Sequence, residues 1–198
     1  MLSKGEQTRR LILRVAVDRF GRDGYRATSV ADIARDAGMS GTAAYAYFPS
    51  KEALFLAAAD GDAADLIHEA LDGVLADDGP LDWAQLLLVT LVGATERHPL
   101  ARRLLAGLEP EVTVRVLDIP ALAELHKATA ARLAREQLAG SVRADADPAS
   151  LAEGLVGLVL ALLMSVVQLG PAAVEAYGAG IAAVLDAALS APRGGGER

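Results

Sequence analysis

The side chains that could catalyse a reaction or ligate a metal are few and scattered. The chain has no cysteine, which removes thiolate metal sites, disulfides and cysteine nucleophiles. His68, His98 and His126 are too far apart to stand three or four residues from one another, the spacing that sets two ligands on one helix face. Glu69 and Glu124 neighbour His68 and His126 in sequence without completing such a set, so neither a metal nor another cofactor is expected. Serine, histidine and aspartate occur, but no nucleophile-elbow sequence presents a serine on a tight strand-to-helix turn. Gly178-Ala179-Gly180 and the run Gly194 to Gly196 lack the preceding strand and following spacing of a phosphate loop. These absences lead to the expectation that the chain is not an enzyme.

The side chains with chemistry left to do lie between Thr28 and Glu52, in the run TSVADIARDAGMSGTAAYAYFPSKE. Hydroxyls, two phenols and a lysine at these spacings suit hydrogen bonds to phosphate oxygens and base edges. Charge points the same way. The whole chain carries −7. Yet Lys4, Arg9, Arg10, Arg14, Arg19, Arg22, Arg26, Arg35 and Lys51 crowd into the first 51 residues, which hold +4, while residues 52–198 hold −11. A basic head on an acidic body is the footprint of a polyanion-binding module.

Those side chains need elements to position them, and the apolar period supplies helices. Leu11, Ile12, Val15, Ala16 and Phe20 form one face of a first helix, expected to stop near Gly24, where glycine closes a helix cheaply. Ser29 and Asp32 have capping-box spacing for a second helix, with Val30, Ile33, Ala34 and Ala37 as its inner stripe and Gly38 as its break. Ser40 predicts the cap of a third helix over Gly41–Tyr47, and Pro49-Ser50 a stop followed by a new start. Ala34 and Gly38 stand four apart: a small residue where two helices touch, and a glycine for the positive φ of the turn between them. Ile33, Ala37, Met39 and Ala44 should fall inside. Further helices are predicted at 51–76, 82–97, 100–108, 120–139, 148–169 and 172–190, with 110–119 a loop or helical turn and 191–198 a disordered tail. The fold class is therefore all-α, with a DNA-binding unit over 1–50 and a helical body over 51–190.

Residues 8–56 resemble the DNA-binding module of TetR/AcrR transcriptional regulators. The likeness rests on the first helix, Thr-Ser-Val at 28–30, Ile33-Ala34, Ala37-Gly38, Ser40, Tyr45-x-Tyr47-Phe48 and Ser50-Lys51-Glu52-Ala53-Leu54. It implies nine or ten helices, a homodimer built mainly from the last two, and a body pocket whose small-molecule effector weakens operator binding. Carried over position by position, it implies that Thr28, Ser29, Gly41, Thr42, Ala43, Tyr45, Tyr47 and Lys51 contact double-stranded operator DNA. The chain departs from the family's pattern at Gly41, where a basic or polar residue is common, at Thr42, where a small residue is, and at Ala43, often Ser or Thr. Gly41 to Phe48 contains no Arg, Lys, Asn or Gln, so the bidentate contacts that discriminate guanine and adenine are missing from it.

The body offers candidates of a different kind. Trp83, Leu87, Thr90, Leu104, Leu108, His126 and Met164 lie on helices that should converge, and are expected to line the effector pocket; ordinary core is the competing reading. Leu155, Leu158, Leu162 and Val166, with Tyr177, Ile181, Val184 and Leu185 on the last helix, are expected at the dimer interface. The run Leu151–Leu169 is apolar except for Glu153, Ser165 and Gln168, and is expected to be a buried helix rather than a membrane span. MLSKGEQTRR lacks a signal peptide's apolar run, and a cytoplasmic location is expected. The function predicted is that of an effector-responsive regulator, acting as repressor on a palindromic operator. The alternative is a helical ligand-binding or protein-interaction module without sequence-specific DNA binding.

Overall fold

The structure is a computed structural model that describes residues 3–75, 83–110 and 118–190, and every regular element in them is helical. The helices are α1 (Lys4–Ala27), α2 (Val30–Asp36), α3 (Lys51–Leu75), α4 (Trp83–Thr95), α5 (Pro99–Leu105), α6 (Pro120–Ala139), α7 (Pro148–Leu169) and α8 (Ala172–Leu189), with a 3₁₀ turn at Ala43–Ala46. Local chemistry explains most of the ends. Ser3 and Glu6 close a reciprocal capping box at the start of α1. Pro120 and Pro148 open α6 and α7 at the first-turn position where a missing N–H costs nothing, and Gly140 closes α6 in the left-handed conformation.

Two elements differ from the sequence reading. α1 does not end at Gly24 but breaks there, at φ 82° and ψ 169°, and continues to Ala27. That backbone region is essentially glycine's own, and Arg103 and Glu109 press on the same point, so a Cβ there would lie 2.4 Å from the Arg103 guanidinium. The expected third helix is reduced to the 3₁₀ turn. Ser40 supplies it with a carbonyl for Ala43 N–H at 2.9 Å rather than with a side-chain cap. Pro49 stops the segment, and packing of Ala44 and Phe48 in the first core cluster fixes its form. The expected loop over 110–119 falls mostly, and the expected tail entirely, outside the described residues.

Most of the buried apolar side chains among the described residues fall into two clusters. Ile12, Ala16 and Phe20 of α1 meet Val30, Ile33 and Ala34 of α2, Ala44, Phe48, and Leu54, Phe55, Ala58 and Ala59 from the first half of α3. The second half of α3 enters the other cluster through Ala63, Leu66, Ile67 and Ala70, together with α4, α6 and α7. α5 belongs to both: Leu100 and Leu104 fill the first cluster, Ala101 and Leu105 the second, as i, i+4 pairs on two faces of one short helix. Both α7 and α8 are long and apolar enough to cross a membrane by length and composition. α7 nonetheless buries Ala152, Leu155, Val156, Val159, Leu162 and Leu163 inside the protein, while α8 leaves most of its apolar surface outside.

Candidate nucleic-acid interface

Ser29 ends the extended link after α1 and caps α2. Its Oγ accepts from Asp32 N–H at 3.1 Å and donates to Asp32 Oδ2 at 2.6 Å. That donated bond, then the nearby Arg35 and Arg19 guanidiniums, hold the Asp32 carboxyl below the ordinary carboxylate range. Arg19 reaches across from α1 to Asp36 and Asp32, tying the first two helices together on their outer side. The turn after α2 runs through Gly38 at φ 73°, with Gly38 N–H bonded to Arg35 O and Met39 N–H to Ala34 O at 2.9 and 2.8 Å. The positive φ is the one the helix-helix turn requires. Ile33 and Ala44 are fully buried as expected, whereas Ala37 and Met39 are half-buried.

Beyond the turn the chain presents a short outward ledge. Thr42, Tyr45 and Ala46 are exposed, Tyr45 to 50%, and Gly41, Ala43 and Tyr47 are half-buried. Ala44 and Phe48 anchor the ledge from beneath, and the Arg9 guanidinium lies 4.9 Å from the Phe48 ring centroid. Lys51, at the first position of α3, points its Nζ to within 4.4 Å of the Tyr25 ring centroid and 3.5 Å of Arg26 O. Ser50 Oγ accepts Ala53 N–H at 3.0 Å to start the same helix. Ser29, Thr42, Tyr45 and Lys51 thus offer hydroxyls, a phenol and an ammonium group.

Thr28 differs from the other residues of this set. Its side chain is buried, at 2% exposure, and its hydroxyl donates to Gly24 O at 2.8 Å. The expected contact with DNA through that side chain is therefore corrected: it braces the break in α1 from inside. Tyr25, which sequence reading passed over, supports Lys51. A tyrosine one residue after a breaking glycine was the available signal, but its pairing with a lysine 26 positions later is a tertiary fact.

In the body, α3 to α7 surround an apolar cavity. It is lined by Ala63, Leu66, Ile67, Leu91, Ala101, Leu104, Leu105, Ile119, Leu122, Leu125, Val156, Val159, Leu160 and Leu163. Of the expected pocket residues whose side chains are described, Leu104 alone is among them. Leu108 is 57% exposed beyond the end of α5, and Met164 packs on the core beside the cavity rather than lining it. Thr90 and His126 are half-buried off its walls. Trp83 and Leu87 lie on α4, but their side chains fall outside the described residues.

The expected interface residues divide by face. Leu155 joins the body core, and Leu162, outside both clusters, is buried within the single chain, so neither stands on the outer face expected of it; a helix apolar on all sides does not announce which side is inward. Leu158, Tyr177 and Val184 are exposed, while Val166, Ile181 and Leu185 are half-buried. The histidines at 68 and 98 face carboxylates. His98 Nδ1 meets Asp62 Oδ1 at 2.9 Å and its Nε2 meets Glu69 Oε2 at 3.3 Å. Asp62 Oδ2 accepts Leu100 and Ala101 N–H at 2.9 and 2.8 Å. His68 pairs with Glu124 at 3.0 Å.

Comparison with known proteins bears on this architecture. Residues 12–58 match the family profile described as bacterial regulatory proteins, tetR family. The HTH-type transcriptional regulator YuxN of Bacillus subtilis (strain 168) is 45% identical over 51 residues, 26% of this chain and 18% of that protein's length. Among solved structures, a TetR-family transcriptional regulator from Pectobacterium atrosepticum is 23% identical with a TM-score of 0.69, over 98% of this chain and all of that one. A TetR transcriptional regulator from Chloroflexus aurantiacus J-10-fl is 22% identical with a TM-score of 0.70, over 96% of this chain and all of that one. These likenesses extend the shared fold from the helix-turn-helix through the helical body. Residues 12–58 thus carry a module similar to that of the bacterial regulatory proteins of the tetR family, set in a fold that this chain shares with solved structures of such regulators.

Proposed function

We propose that the chain is a cytoplasmic, homodimeric transcriptional repressor that binds an inverted-repeat operator through residues 28–51 and leaves it when a small molecule occupies the body cavity. One observation carries the reading: α5 fills the DNA-binding core with Leu100 and Leu104 and walls the cavity with Ala101, Leu104 and Leu105. A ligand that favours one placement of this helix shifts the spacing of the two reading segments in a dimer, and operator affinity falls by the ligand's differential affinity for the two states. Ser29, Thr42, Tyr45, Tyr47 and Lys51 are the proposed side-chain contacts; Gly41 and Ala43 allow close approach. The proposed dimer face is the outward side of α7 and α8, where Leu158, Val174, Tyr177 and Val184 stand exposed.

Selection of bound sequences from random duplexes tests this directly. An inverted repeat with half-sites about one helical turn, roughly 34–36 Å, or a multiple apart is expected. Salt-dependent binding with no sequence preference, or a body that binds ligand while the chain retains no affinity for duplex or heparin, favours a ligand-binding module instead.

A further inference from the structure

We propose that the body cavity takes an unsubstituted aliphatic chain or ring, so that the buried part of the effector carries no charge, no hydrogen-bonding group and no aromatic plate. Only the consequence of binding for the operator rests on the regulatory reading. Among the described residues, all the lining side chains are Ala, Val, Leu or Ile; none of these can donate, accept or stack.

The backbone around α5 is equally closed. At its start, Leu100 and Ala101 N–H go to Asp62, and Arg102 N–H to His98 O. At its end, the carbonyls of Arg102, Arg103 and Leu104 accept from Ala106, Leu108 and Gly107 N–H. The Leu105 carbonyl accepts from Gln168 Nε2 at 2.9 Å. Thr95, buried near the end of α4, donates to Val92 O at 2.7 Å. The buried carboxylate oxygen without a partner, Glu136 Oε2, lies about three turns along α6 from the lining residue Leu125.

A polar group brought against these described walls finds no partner there to replace its water, which weakens binding by roughly ten- to a hundredfold. The shape narrows the class further. The cavity between the described walls is small, about 50 Å³. Such space is a narrow seam between side chains. A flexible chain one methylene wide follows seams, and an aliphatic wall yields to it by rotamer changes.

The test titrates the full chain with 1-hexanol, 1-octanol, 1-decanol and 1-dodecanol by calorimetry, with 1,10-decanediol as comparator. Affinity should rise about fourfold for each added methylene, the equivalent of about 0.8 kcal/mol per buried CH₂, until the cavity is full. The diol should bind at least tenfold more weakly than 1-decanol, because one hydroxyl must go in with the chain. Leu160→Ala, which trims a wall, should move the tightest binder toward longer chains. Absence of saturable binding, a flat chain-length series, or a diol that equals the alcohol overturns the proposal, and the native chain alone decides this if the variant fails to fold. Alcohols that bind with the stated increments but leave the operator complex intact support the cavity assignment and refute the regulatory reading. Release of the operator by charged or aromatic compounds that 1-decanol does not displace overturns the cavity assignment and leaves the regulatory reading standing.

Discussion

Lys51 and Thr42 are expected to play different parts at DNA. Lys51 is a point charge steadied over the Tyr25 ring, and a phosphate has no sequence for it to read. Lys51→Ala should therefore weaken binding to all duplexes nearly equally and reduce the log–log salt slope by about 0.9, measured by fluorescence anisotropy at several salt concentrations. Thr42, exposed on the ledge, brings a hydroxyl and a methyl group suited to a thymine edge; Thr42→Ala should relax preference at one or two base pairs in the selected sequences. Thr28 belongs to neither class. Thr28→Val breaks the buried bond to Gly24 O and should cost about 1 kcal/mol in urea unfolding, with the selected sequence unchanged. The family's pattern marked Thr28 and Lys51 alike, since a motif records which residue stands at a position and not which way its side chain turns.

At the scale of the element, helix starts carry a pH dependence whose sign is fixed by their carboxylates. Asp32 is held low by the Ser29 hydroxyl, Asp147 by Ser150 N–H, and Glu6 by the Ser3 hydroxyl. A carboxylate whose folded value is depressed contributes stability above its unfolded value, near pH 4, and loses it as pH falls through the lower folded value. Melting temperature followed by circular dichroism should hold through the neutral range and fall below about pH 4. Asp32→Asn combined with Asp147→Asn should make that acid limb shallower. The break at Gly24 is a second liability: Gly24→Ala meets both an unfavourable φ and the Arg103 guanidinium, and should cost about 1–3 kcal/mol.

The bounds of α6 and α7, at 120–139 and 148–169, were legible because prolines and glycines punctuate them. The 3₁₀ turn was not, because Ser40 to Tyr47 has helix-compatible residues and only tertiary anchoring by Ala44 and Phe48 decides its form. The cavity was illegible for another reason. Its walls come from five helices and use the same residue types as solid core, so no local pattern separates a lined space from a filled one.

For the molecule as a whole, the exposed apolar strip on α7 and α8 is the proposed dimer face. Tyr177→Glu with Val184→Glu puts charge on side chains 54% and 58% exposed in the single chain, so folding should survive while sedimentation shows monomers; a stable dimer would move the interface elsewhere. Gly154, Gly157 and Ala161, also exposed on α7, leave room for a second backbone to approach closely.

The double membership of α5 also limits how the protein can be divided. The half proposed to read DNA is not continuous in chain: its core includes Leu54 and Phe55 from α3, and Leu100 and Leu104 from a later, separate helix. A fragment cut after residue 50 leaves Phe20 and Ile33 without these apolar partners of their cluster, and is expected to remain unfolded. Hybrid regulators made by joining one family member's head to another's body at that point inherit a mismatched seam, with one parent's α1 laid against the other's α5. Grafts that carry residues 99–105 along with the head keep the seam intact, and should be the ones that still answer to the body they were given.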